Sequence, residues 1–98
     1  MLTSKQRAAL RACANQIDTI MQVGKGGISD TLVKQVDDAL VARELIKIKV
    51  LENCEYTARE ISKILTTKTD SEPVQVIGNK LVLFKRNPKT PCYDNCLK

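Results

Sequence analysis

The chain of 98 residues carries 16 Lys and Arg against 11 Asp and Glu, a net charge of +5, with no histidine and 3% aromatic residues. That length makes one domain with one modest core, and an apolar content of 43% is that of a globular chain rather than a disordered one. The positive excess favours an anionic partner, the missing histidine removes the commonest general base and metal ligand, and so few aromatics exclude an extensive base-stacking platform.

Thr3 and Gln6 form a T-x-x-Q capping box, which predicts a helix from Ser4. Leu10, Cys13, Ala14 and Ile17 supply its apolar stripe, and Asn15 and Gln16 end it. Lys5, Arg7 and Arg11 give this helix positive charge with no acid before Asp18, and Arg7 and Arg11 share a face. Ile17, Ile20, Met21 and Val23 then read as a buried strand.

That strand runs into Val23-Gly24-Lys25-Gly26-Gly27-Ile28-Ser29, the stretch on which the chain turns. Ser29 is placed to cap a second helix, to about Arg43, whose apolar face holds Leu32, Val33, Val36 and Leu40. A glycine loop entering a helix N-terminus offers backbone amides and the positive end of the helix dipole, a setting that suits phosphate. Glycines let a foreign backbone approach closely, and Lys25 adds a point charge at the tip. The plain alternative is a strand-to-helix turn with no ligand. The spacing is not a dinucleotide fingerprint, since position 29 is Ser, and there is no G-x-x-x-x-G-K-[ST]. A KH domain also clamps a nucleic-acid backbone with GXXG, but there the loop joins two helices, whereas here a strand precedes it.

In Leu45 to Leu51, Ile46, Ile48 and Val50 alternate with Lys47 and Lys49, predicting a strand with one core face and one exposed basic face. Two strands joined by a helix of this length suggest a parallel βαβ unit with a right-handed crossover. Thr57 and Glu60 form a second capping box, with Tyr56 placed to staple onto Ile61. Ala58, Ile61, Ile64 and Leu65 give the third helix its inner face, and Thr66 to Glu72 reads as a polar linker. Pro73 opens Val74-Gln75-Val76-Ile77, Gly78-Asn79 turns the chain, and Lys80 to Lys85 returns as the other half of a hairpin. Residues 1–86 are thus the expected domain and 87–98 a loose tail.

Cys92 and Cys96 in that tail make the one close pair, at C-x3-C spacing, while Cys13 falls on an apolar helix face and Cys54 in a turn. A structural zinc site needs two such knuckles or histidine partners, so neither metal nor disulfide is expected. With no run of 18 apolar residues and no charged-then-apolar leader, neither a membrane span nor a signal peptide is expected, and the cytoplasm is the expected location. No carboxylate pair or cysteine-base arrangement stands out either, so no enzyme and no cofactor are expected.

The predicted order is α-β-α-β-α-β-β, an α+β class, with the glycine loop at the carboxyl end of the first strand, where ligands of open sheets commonly bind. Four stretches in this order resemble the CRM domain family (chloroplast RNA splicing and ribosome maturation) in its stand-alone bacterial YhbY-like form. They are Leu2-Thr3-Ser4-Lys5-Gln6-Arg7, Val23 to Ile28, Glu44 to Val50, and Val74 to Phe84, within a resemblance spanning about residues 2 to 86. The resemblance implies a mixed four-stranded sheet with helices, similar to the C-terminal domain of bacterial translation initiation factor three. It also implies a non-enzymatic RNA-binding protein that associates with ribosomal RNA in precursors of the large ribosomal subunit; a monomer is expected. The family's GxxG loop falls on Gly24, Lys25, Gly26 and Gly27, and its basic first-helix positions on Lys5, Arg7 and Arg11. The chain departs from the family pattern at Gly26, where a polar residue is more usual, and in the cysteines of the tail. A protein-interaction module docking on a ribosomal protein or assembly factor is the alternative.

Overall fold

The computed structural model describes residues 3–86. Its elements follow as α1 (Ser4–Ala14), β1 (Met21–Val23), α2 (Asp30–Arg43), β2 (Leu45–Val50), α3 (Ala58–Thr69), β3 (Glu72–Ile77) and β4 (Lys80–Phe84). This is the expected α+β order. The strands make one mixed sheet, β1-β2-β4-β3, parallel between β1 and β2 and antiparallel elsewhere.

Each helix begins where a hydroxyl meets its otherwise unpaired first amides. The Gln6 amide donates to Thr3 Oγ1 at 3.1 Å while the Thr3 amide donates to Gln6 Oε1 at 2.9 Å. Thr57 and Glu60 repeat this reciprocal pair at the start of α3, and the Leu32 amide donates to Ser29 Oγ at the start of α2. At the other ends, the last two helices stop on residues with positive φ, Glu44 at 64° and Asp70 at 55°. Glu44 is buried and is the only residue between α2 and β2. Its amide closes the helix on the Leu40 carbonyl, and its own carbonyl accepts from the Lys85 amide, tying the helix end to the end of β4.

Alternation along β2 and β4 divides the core in two. Ile46, Ile48, Val50, Leu81 and Leu83 face α2 and α3 and pack with Leu32, Val36, Leu40, Ala58, Ile61 and Leu65. Leu45, Val82 and Phe84 face the other way and, with Val74, are covered by Leu10 and Ala14 of α1. The domain is therefore layered, two helices against one sheet face and one helix against the other. Each fully buried Leu or Ile contributes about 1.5–3 kcal/mol, so both layers are needed for a chain of this size.

Four local expectations need correction. The first strand is only Met21–Val23; Ile20 reaches the Lys47 carbonyl through its amide, and Ile17 instead packs beneath α1. The lysine face of β2 is not fully exposed: α1 covers part of it, Lys47 and Lys49 are half-buried, and Lys47 Nζ donates to the Ile17 carbonyl at 3.4 Å. Helix α3 does not stop at Thr66 but runs through Thr69. The hydroxyls of Thr66, Thr67 and Thr69 bond back to the carbonyls of Lys63 and Leu65, which lets threonine sit inside a helix. Pro73 does not open β3 but lies within it, on an edge strand that does not need its amide, beside a register shift that makes Val74 the extra residue. The tail, with Cys92 and Cys96, lies outside the described residues.

Candidate functional site

Parallel pairing of β1 with β2 puts the connectors to α2 and α3 at the same end of the sheet, so the N-termini of both helices open there. The glycine loop is the first of these connectors. Its backbone closes in a tight turn, with the Gly27 amide donating to the Gly24 carbonyl at 2.9 Å and Gly27 at φ +60°. Lys25 and Gly26 form the exposed tip. Their amides make no backbone hydrogen bond among the described residues. In α2 the Leu32 amide is taken by Ser29 Oγ and the Val33 amide by the Ser29 carbonyl. The amides of Asp30 and Thr31 precede these and have no intrahelical acceptor. Asp30 itself stands in that first turn, and its carboxylate opposes an anion there.

The second connector, Leu51 to Thr57, packs against the first. The Leu51 amide donates to the Val23 carbonyl at 2.8 Å. A Cβ on Gly24 would lie 3.3 Å from Leu51 Cδ1 and 3.4 Å from Asn53 Oδ1, and one on Gly27 would lie 3.3 Å from the Tyr56 ring. The three glycines therefore differ in role. Gly24 and Gly27 are held by neighbours, while a Cβ on Gly26 would meet nothing within 4 Å. Alongside, Lys49, Leu51, Glu52, Asn53 and Asn79 line a depression of about 440 Å³.

Of the residues singled out in the sequence, Gly24, Lys25, Gly26 and Gly27 come together at this end of the sheet. Lys5, Arg7 and Arg11 do not join them directly. They ride on α1, which lies across the opposite sheet face and packs on Leu45, at the start of β2 rather than its end. Lys5 and Arg11 are exposed, whereas Arg7 is half-buried, its Nε shut off from solvent with no hydrogen-bond partner among the described residues. Sequence reasoning missed Tyr56 as the wall of the loop and Asn53 and Asn79 as lining; only the pairing of distant segments brings them there. Cys13 and Cys54 pack against different core clusters.

A layered α+β domain with a glycine turn at the carboxyl ends of its parallel strands defines a class, and similarity narrows it to a family. Residues 2–85 match the CRS1 / YhbY (CRM) domain, and the chain belongs to that family, a non-catalytic one. It is 47% identical over 87 residues to the Bacillus subtilis protein YqeI, named a probable RNA-binding protein, covering 89% of this chain and 91% of that one. It is 30% identical to a Haemophilus influenzae protein named an RNA-binding protein, covering 86% and 85% of the two chains. A solution structure of a Staphylococcus aureus protein, described as a candidate RNA binder, superposes with a TM-score of 0.76 at 47% identity, covering 89% of this chain and 91% of that one. Among the described residues, no helix is long and apolar enough to cross a membrane.

Proposed function

We propose that the chain is an RNA-binding protein that acts in the cytoplasm, as a monomer, on structured ribosomal RNA in precursors of the large ribosomal subunit. The Gly24–Gly27 turn holds a backbone phosphate on the amides of Lys25 and Gly26, with Lys25 as the counter-charge. Lys5, Arg7 and Arg11 extend phosphate contact along α1. The observation that carries this reading is the turn itself, whose exposed amides have no backbone acceptor, sit beside a helix N-terminus and carry a lysine at the tip. The relatives named for RNA binding support the choice of polymer. Contacts of this kind fix a backbone and carry little base information, so selectivity rests on RNA shape. The test is co-sedimentation of the purified protein with protein-free large-subunit ribosomal RNA and, separately, with precursor particles. Binding to both supports the reading. Binding to particles with none to naked RNA assigns the chain to docking on a ribosomal protein or assembly factor instead.

A further inference from the structure

The sheet face that carries α1 is only half covered. Leu10 and Ala14 seal Leu45, Val74, Val82 and Phe84. Beyond them the strand registers set Gln22 beside Lys49, Lys49 opposite Lys80, and Lys80 opposite Ile77, one row across all four strands. Gln22 and Lys80 are exposed, Lys49 is half-buried, and Ile77 is 61% exposed. Like charges directly opposite one another in a sheet destabilise it. Here neither lysine has an ion-pair partner among the described residues. Glu52 is the one carboxylate lining the adjoining depression, alongside Lys49 itself. The fold thus leaves a cross-strand lysine pair whose charges no carboxylate of the described residues pairs with.

Its position says which anion would answer those charges. The row lies one residue before Val23 and Val50, where β1 and β2 end and the glycine turn begins, so the two charged features are continuous around the end of the sheet. Between them sits the depression, an open one walled by five residues. Asn53 and Asn79 offer amide donors and acceptors to it, and Glu52 offers only an acceptor. We infer that Lys49 and Lys80 form a further RNA contact, binding the phosphates next to the one held by the glycine turn, while the depression takes the intervening nucleotide. Glu52 and the two asparagines then meet donor groups of that nucleotide, a base amine or a ribose 2′-hydroxyl, and the phosphates stay on the lysines. This deepens the proposed function and rests on it.

The test replaces the pair with glutamine, which keeps a polar side chain of shorter reach and removes both charges. K49Q/K80Q, a K63Q/K68Q control of equal net charge on the exposed side of α3, and the wild-type protein are each titrated with an in vitro transcript of large-subunit ribosomal RNA over a range of KCl. With the opposed charges gone, the sheet variant melts at or above the wild-type temperature. Its affinity falls about tenfold or more at moderate salt, and its log–log salt slope becomes shallower by about 1.4, the value for two single-strand phosphate contacts. Ultraviolet crosslinking of the wild type places adducts within residues 49–53 or 79–80. Unchanged affinity and slope, equal losses in the control, or adducts found only elsewhere would each overturn the inference while leaving the glycine-turn site standing. A wild-type protein that binds no RNA would instead refute the proposed function itself.

Discussion

Replacing Lys25 and Gly26 together by Asp separates a phosphate site from a mere turn. Gly26 is not at positive φ, and a Cβ there meets nothing within 4 Å, while Lys25 is exposed. Both side chains therefore enter open solvent, where substitutions change stability by about 0.5 kcal/mol or less. Gly24 and Gly27, which hold the turn against Asn53 and Tyr56, are untouched. Removing one positive charge and adding two negative ones takes the net charge from +5 to +2. At a separation of about 6 Å, one unit charge interacts with a phosphate charge by roughly 0.7 kcal/mol in water. Two repulsions gained and one attraction lost then come to about 2 kcal/mol, or about thirtyfold in affinity; salt screening trims this toward tenfold. Circular dichroism and a thermal melt establish that the variant is folded, and fluorescence anisotropy with labelled ribosomal RNA reads the affinity. A folded double variant that binds like the wild type would refute the assignment of phosphate binding to this loop.

Gly26→Ala is expected to be neutral or to stabilise by up to about 1 kcal/mol, because it restricts the unfolded chain at no cost to the fold. Gly27→Ala places a Cβ at φ +60° against the Tyr56 ring and should cost about 1–2 kcal/mol in a denaturant melt; equal melts for the two variants would contradict the roles given to them. Thr57→Ala breaks the capping box of α3 and should cost about 1 kcal/mol, read as a drop in melting temperature. RNA affinity should fall steeply between low and moderate salt if about three to five phosphates are held, and a flat response in a filter-binding titration would count against a phosphate-based surface.

The features legible in the sequence were those written in neighbouring residues. The capping hydroxyls of Thr3, Ser29 and Thr57 act within three positions, and the Gly78-Asn79 turn sets its own hairpin, with only Gly78 at positive φ. The order of elements followed from these and from the alternation in β2. Threonine near the end of α3 misled because its low helix preference is offset here by back-bonding to carbonyls one turn earlier. The lysine face of β2 misled for a different reason: what covers it is α1, and where a helix docks is not encoded in the strand it covers. The same holds for the site. Gly24 to Gly27 were visible as a motif, but Asn53 and Tyr56 reach them only because β1 and β2 run parallel, and Lys49 meets Lys80 only because β4 inserts between β2 and β3.

The Tyr56 ring beside Gly27 has a use as an optical probe. The chain has no tryptophan and two tyrosines, so tyrosine emission is not masked by a stronger indole signal. Tyr93→Phe leaves Tyr56 as the sole emitter, a few ångströms from the turn. A nucleotide arriving at the loop alters the quenching of that ring, whereas RNA held only along α1 leaves it as it was. The protein thus carries an intrinsic dye at one of its two basic surfaces, and a titration read in emission reports which surface the RNA occupies without any label.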